Sequence, residues 1–182
     1  IVQTTGEMNN SYYNKRDWQK NYYPDMNWKN YKITATQLDY RTVVGESSWR
    51  GGSRNTVIYG HNWTNLRHPF DIGSSEKHHM FAELPSYKSV DFAKTNPDIY
   101  FSTENNEGIW KVFASTTVEV HWTFFYNNPN PSDASMASLI SEWKQRSDLN
   151  YDVDVQPSDR ILTLSTCTRE YDGIGSAQRY VV

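Results

Sequence analysis

The sequence predicts a mainly β fold, a barrel or sandwich of strands with a few helices around it. Short runs rich in β-branched and aromatic residues recur from residue 32 onward and end at turn residues. Only one segment has a convincing helical period. With 182 residues the chain has the length of one domain, so we treat residues 1–182 as a single domain.

Composition sets limits on function. The net charge of -3 and the pI near 5.9 argue against nucleic acid as a partner. There is no apolar run long enough to span a membrane. One cysteine excludes an internal disulfide and zinc sites built on cysteine pairs, and we expect no metal or cofactor. The 7 Trp and 13 Tyr supply bulky apolar area for a core that has few aliphatic residues.

The strands are predicted from β-branched content and alternation. A turn is expected at residues 104–108, where Asn, Glu and Gly cluster. The segments predicted as strands are residues 56–59, 98–103, 109–120, 153–155, 161–165 and 178–182.

The best helix covers residues 132–147. Either Ser132 or Asp133 can cap its first turn, and cations lie near its end, where they suit the helix dipole. Four apolar residues fall on one face at helical spacing; they are Met136, Leu139, Ile140 and Trp143. Weaker helical patterns cover residues 86–94 and 12–22.

Cys167 is the first candidate for chemistry, and it is predicted to follow a strand directly. A free cysteine is often only a buried structural residue. As a thiolate it is a nucleophile, provided that a base or a cation lies nearby. If residues 161–166 and 178–182 are neighbouring antiparallel strands, Arg179 faces Cys167 and can neutralise an oxyanion.

The histidines give one further candidate. His61 follows a strand end, where scaffolds often present catalytic groups, although a surface loop histidine is the commoner case. His121 lies in an aromatic stretch and is expected to be packed. The loop at 67–79 holds His68, His78 and His79, whose spacing matches no zinc template.

Three motifs in this order resemble those of the sortase family: TLSTC at residues 163–167, YGHN at residues 59–62 and QRYVV at residues 178–182. Residues 1–3, 38–41 and 159–162 and the helix at 132–147 are similar to class B members. The resemblance implies an eight-stranded β-barrel with peripheral helices, one of them inserted near residues 132–147. It also implies an N-terminal membrane anchor and a few C-terminal residues outside the given sequence.

The resemblance implies a cysteine transpeptidase with Cys167 as nucleophile, His61 as general acid and base, and Arg179 at the oxyanion. The Thr168 N–H would be a second oxyanion donor. The implied substrate is a C-terminal sorting signal similar to Asn-Pro-x-Thr. Residues expected to bind it are Ser165, Thr166, Thr168, Phe125, Tyr126, Asn9 and Tyr13.

The implied partners are this signal peptide and an amine of a peptidoglycan precursor or cross-bridge. The implied location is the outer face of a Gram-positive cell membrane. Two alternative functions remain open: one uses the same three catalytic residues, and the other uses no catalytic residue. A cysteine peptidase would transfer the acyl group to water, and a glycan- or ligand-binding module would keep Cys167 as a structural residue.

Overall fold

The computed structural model describes residues 43–44, 54–60, 62, 64–73, 75, 77–78, 81–103, 106–122, 126–128, 130–171 and 178–182. Within them the strands are β1 (Val43–Val44), β2 (Asn55–Gly60), β3 (Asp98–Thr103), β4 (Asn106–Lys111), β5 (Thr116–Glu119), β6 (Ile161–Thr168) and β7 (Gln178–Val181). The helices are a 3₁₀ helix at Leu84–Lys88, α1 (Val90–Thr95), a second 3₁₀ helix at Val120–Trp122 and α2 (Asp133–Arg146).

Five of the strands form one sheet in the order β1-β2-β6-β7-β5, and β3 and β4 form a hairpin. Only β2 and β6 run parallel among the described strand pairs. The prediction of a mainly β fold with a few helices is confirmed. Since the described strands form an open sheet and a hairpin, eight strands in a closed barrel stay an expectation from the resemblance.

Helix α2 confirms its prediction within one residue at each end. The Ser132 hydroxyl accepts the Ser135 N–H at 3.2 Å, which satisfies one of the free donors of the first turn. The predicted apolar stripe is buried against the sheet. Trp143 in this stripe packs with the rings of Trp122 and Tyr126, whose centroids lie 4.9 and 5.3 Å away.

The sheet is buried on both faces. On the first face, Val57, Val118 and Val181 pack with α2. On the second face, Ile58, Leu164 and Tyr180 pack with the 3₁₀ helix, α1 and the β3–β4 hairpin. The functional candidates therefore lie in a sheet whose strands are fixed from both sides.

Some sequence predictions were wrong in detail. The predicted strand at 109–120 breaks at residues 112–115, and Asn106–Gly108 belong to β4 rather than to the turn. Residues 153–155 form no strand. Strand β6 continues to Thr168, so Cys167 lies inside a strand rather than after it.

The helical pattern at 86–94 corresponds to the first 3₁₀ helix and α1, which meet at Ser89. The patterns at 1–3, 12–22 and 38–41 lie outside the described residues. In the part of the chain that is described, no helix has the length and hydropathy of a membrane span.

Candidate active site

Cys167 and Arg179 are directly opposite each other on β6 and β7. The register is fixed by Leu164 and Val182, which exchange two backbone hydrogen bonds of 2.8 and 2.9 Å. Hydrogen-bonded pairs alternate with non-hydrogen-bonded pairs in an antiparallel ladder, so Cys167 and Arg179 form a non-hydrogen-bonded pair. Side chains approach most closely at such pairs. The predicted juxtaposition of the two residues is confirmed.

Arg179 holds a central position in the sheet. It is paired with Cys167 on one side and with Val118 of β5 on the other. Both Cys167 and Arg179 are half-buried. The Arg179 Nη1 donates to the Gln178 carbonyl at 3.0 Å, and a guanidinium has four further N–H groups to offer. The pair therefore combines a half-exposed thiol with a fixed cation on the neighbouring strand.

Two tyrosines lie on the same face as this pair. The Tyr126 hydroxyl is 3.4 Å from the Ser165 hydroxyl, and both residues are buried. Burial raises the pKa of Tyr59 to about 12; Tyr126 adds to the rise and the Arg179 charge opposes it. Burial also raises the pKa of Tyr126, again against Arg179. Both phenols are neutral at physiological pH and lie within the electrostatic reach of Arg179.

Thr166 and Thr168 point to the other face, because side chains alternate along a strand. Their hydroxyls donate to the carbonyls of Gly60 at 2.8 Å and Leu66 at 3.2 Å. Thr168 is paired with Gln178, and the alternation makes that pair hydrogen-bonded, with the Thr168 N–H toward β7. The two threonine hydroxyls thus secure the strand on the face opposite the Cys167 side chain, and a role of these residues in substrate binding stays a prediction.

Strand β2 ends beside the C-terminal part of β6, which contains Cys167. It ends at Gly60, which is paired with Thr166 in the parallel ladder, and His61 is the next residue in the chain. A Cβ on Gly60 would lie 2.4 Å from the Phe81 ring, so this position requires glycine. His61 itself and the predicted substrate contacts Phe125, Asn9 and Tyr13 lie outside the described residues.

Two asparagines organise the segment after His61, and the sequence predictions missed both. Asn62 donates to the Cys167 carbonyl at 3.2 Å. Asn65 binds the backbone of Asp71 and Ala82. In the sequence, Asn62 is visible only as the last residue of the YGHN motif, and the motif does not reveal its hydrogen-bond partners.

Two further histidines differ in their surroundings: His78 has polar partners, and His121 is exposed. His78 contacts the Asp71 carboxylate at 3.4 Å and the Gly73 carbonyl at 3.1 Å, partners that the sequence did not indicate. The expectation that His121 is packed was wrong, since its side chain is 77% exposed beside Glu119. Among the residues placed by the structure, no group of three or more ligating side chains could hold a metal ion.

A buried ion pair holds the chain just after the thiol. Lys88 Nζ lies 2.9 Å from the Glu170 carboxylate and 2.8 Å from that of Asp148. Glu170 also accepts from the Thr117 hydroxyl. Burial tends to lower the pKa of Lys88, but the two carboxylates together outweigh it and raise the pKa. Lys88 therefore stays charged and anchors the segment that leads from Cys167 toward Arg179.

Comparison with known proteins now assigns the family. The sortase-domain family matches residues 24–182, so this chain belongs to the sortase family. Its curated relatives include sortase B of Listeria monocytogenes, 32% identical over 154 residues, and sortase B of Staphylococcus aureus, 30% identical over 123 residues. The resemblance to class B is thereby confirmed. The chain spans 55% and 43% of the lengths of these two relatives.

Solved structures support the same fold. Sortase B from Listeria monocytogenes aligns with a TM-score of 0.62 at 24% identity, over 96% of this chain and 81% of that one. Sortase B from Clostridium perfringens gives a TM-score of 0.68 at 20% identity, over 96% and 80%. A substrate complex of Staphylococcus aureus sortase B gives 0.64 at 22% identity, over 96% and 68%.

Proposed function

We propose that this chain is a cysteine transpeptidase that cleaves a sorting signal after Thr and joins the acyl group to a cell-wall amine. The observation that carries the proposal is the Cys167–Arg179 pair at the centre of a sortase-family sheet. A thiol and a guanidinium on adjacent strands supply the nucleophile and the cation that acyl transfer requires. His61 directly follows Gly60 in the sequence, and Gly60 is paired with Thr166.

In the first half-reaction the Cys167 thiolate attacks the carbonyl carbon of the signal threonine. The carbonyl oxygen becomes an oxyanion beside Arg179, whose positive charge stabilises it. The C–N bond then breaks, and His61 gives its proton to the leaving amine. A thioester between the substrate and Sγ remains.

In the second half-reaction an amine attacks the thioester carbon. His61 takes a proton from the attacking nitrogen, a new amide bond forms, and the C–S bond breaks to return the thiolate. One hard amide exchange thus becomes two easier steps. Transfer to an amine rather than to water requires that the amine be held against the thioester when it is formed.

The proposed partners follow from the relatives. Solved structures of sortase B include a substrate complex and a complex with triglycine, which fit a peptide donor and an amine acceptor for this chain. Ser165 and Tyr126 would form the floor of the peptide site. The segment with Phe125 and residues Asn9 and Tyr13 would form its walls. The proposed location is the outer face of a Gram-positive membrane, with an N-terminal anchor.

A fluorogenic sorting peptide tests the proposal, with and without triglycine. Wild type should release the fluorophore and, with triglycine, form the ligated product. Cys167→Ala should abolish both. Arg179→Ala should lower the rate about 10²- to 10³-fold, and His61→Ala about 10²- to 10⁴-fold.

The matched control is Arg169→Ala, because this exposed arginine lies two residues after Cys167 and its backbone, not its side chain, binds Leu66. It should retain the wild-type rate. Hydrolysis alone at every triglycine concentration would reject the transpeptidase and support a peptidase. Full activity in Cys167→Ala would reject cysteine chemistry altogether.

A further inference from the structure

Asn62, the residue after His61, has a buried amide that the proposed chemistry does not use. It is 3% exposed and makes three hydrogen bonds. Its Nδ2 donates to the carbonyls of Asn65 at 2.6 Å and Cys167 at 3.2 Å, and its Oδ1 accepts the Asn65 N–H at 2.9 Å. The reverse orientation would place Oδ1 against two carbonyl oxygens, so the hydrogen bonds fix which way the amide points.

The contact with Cys167 continues the sheet by one hydrogen bond. In the parallel β2–β6 ladder, the Ile161 N–H donates to the Arg54 carbonyl at 2.8 Å. In a parallel ladder the hydrogen bonds repeat every two residues along each strand. If β2 continued, the backbone N–H of residue 62 would therefore donate to the Cys167 carbonyl. Strand β2 ends at Gly60, and the Asn62 side chain supplies the donor instead.

This hydrogen bond acts on the nucleophile through its peptide unit. The Cys167 carbonyl and the Thr168 N–H belong to one planar group. Asn62 holds that group from the β2 side, while the Thr168–Gln178 pair holds it from the β7 side. The peptide unit before Cys167 is held in the sheet as well, since Thr166 is paired with both Gly60 and Tyr180. With both flanking peptide planes fixed, the direction of the Cys167 Cα–Cβ bond is fixed too.

We propose that Asn62 is a positioning residue that sets the Cys167 thiol relative to the segment carrying His61. Its backbone is bonded covalently to that of His61, and its side-chain amide donates a hydrogen bond to the Cys167 carbonyl. One side chain therefore links the nucleophile of the proposed mechanism to the segment that carries its acid–base group. This inference rests on the proposed function, and its test separates the two.

Asn65 provides a matched control. It is also 3% exposed, and its amide also makes three hydrogen bonds to backbone groups: two donated, to Asp71 and Ala82, and one accepted, from Asp71, each of 2.9 Å. None of these partners lies in β6. The hydrogen bonds between Asn62 and Asn65 use only the backbone of Asn65, so Asn65→Ala leaves the contact between Asn62 and Cys167 in place.

The experiment compares Asn62→Ala with Asn65→Ala by urea unfolding, by kcat and KM for the fluorogenic peptide, and by the rate of Cys167 alkylation with iodoacetamide. Both variants should lose similar stability, since each loses three buried hydrogen bonds. Only Asn62→Ala should lower kcat, about 10- to 100-fold as expected for a displaced catalytic group, with little change in KM. Its alkylation rate should fall as well, because the thiolate depends on a well-placed base.

A second variant, Asn62→Asp, asks whether the donor itself matters. A carboxylate offers no hydrogen to the Cys167 carbonyl, whereas a protonated carboxyl offers one. The ratio of the variant's alkylation rate to the wild-type rate should therefore rise as the pH falls. The same ratio for Asn65→Ala should stay flat. This readout also serves if Asn62→Ala fails to fold.

Equal kcat in Asn62→Ala and wild type, or an equal loss in the Asn65→Ala control, would overturn the inference. A flat pH ratio for Asn62→Asp would do the same. If wild type turns over no peptide while the alkylation rates still differ between Asn62→Ala and Asn65→Ala, the proposed function fails and the positioning role stands. Equal alkylation rates in the two variants with an active wild type reject the positioning role alone.

Discussion

The two faces of the five-stranded sheet are fixed by different forces. The first face, under α2, is held by aromatic packing around Trp143 and Tyr126. The second face has the Lys88–Glu170 ion pair and threonine hydroxyls bound to carbonyls. Cys167 and Arg179 have their side chains on the first face, as does Val118, the partner of Arg179 on β5. The difference shows that bulk packing gives the site its floor, while directional bonds on the opposite face set the strand ends.

Removing the largest side chain of the first face should have the largest effect. Trp143→Ala should lower the free energy of unfolding by about 3–5 kcal/mol, since it opens a cavity in an aromatic cluster. Urea unfolding measures this, and Gln145→Ala on the exposed side of α2 serves as the control. A loss of less than about 1 kcal/mol, an ordinary surface value, would contradict the assigned role of α2.

Breaking the ion pair tests the second face. Lys88→Met should cost about 3 kcal/mol, because it leaves the Glu170 carboxylate buried without its cation. The double variant Lys88→Met/Glu170→Gln should recover part of this loss. The control is Lys94→Met on exposed α1, for which we expect little change. If the double variant is less stable than Lys88→Met alone, the buried charge is not the cause.

A substitution at the end of β2, also on the second face, should lower the free energy of unfolding by a smaller amount. Gly60→Ala should destabilise the protein by about 1–3 kcal/mol, since its Cβ meets the Phe81 ring. Replacing the ring as well, in Gly60→Ala/Phe81→Leu, should restore part of the stability. Unfolding midpoints in urea give the comparison. No recovery in the double variant would contradict the assignment of the clash to the Phe81 ring.

Alkaline pH tests one tyrosine from each face of the sheet. Burial raises the pKa of Tyr59 on the first face and of Tyr87 on the second to about 12, above the usual 10.0. The folded protein therefore holds more protons than the unfolded chain between these values, and its stability should fall as the pH rises from 10 to 12. Tyr59→Phe and Tyr87→Phe should each flatten this slope in urea unfolding, and an unchanged slope in both would contradict the assignment.

Local patterns predicted much of the fold. The Ser132 cap and the apolar stripe of α2 depend only on neighbours along the chain. Arg179 could be placed opposite Cys167 once the two segments were assumed to be neighbouring antiparallel strands, which the structure confirms. The break before β5 was not visible, because it depends on distant groups. The Ser115 N–H donates to the Ser147 hydroxyl at 3.0 Å, and the Ser115 hydroxyl contacts Tyr151 at 2.8 Å.

The same reason limited the prediction of the site. The motifs identified Cys167, Arg179 and His61 as candidates, but they did not show which face Thr166 and Thr168 occupy. Strand β6 reaches Thr168 rather than ending at residue 165, and only this full length fixes the alternation at its end. The role of Asn62 depends on a partner 105 residues away, beyond the reach of any local pattern.

The parallel pairing of β2 with β6 has a consequence for folding. It joins residues 106 apart in sequence, as the Thr166–Gly60 hydrogen bond shows. Closing so long a loop costs entropy that nearby contacts do not, and such pairings form slowly. We expect the hairpin and α2 to form early and the thiol to reach its final surroundings late. A partly folded chain would then have an ordinary cysteine, so reactivity would develop only when the molecule is complete.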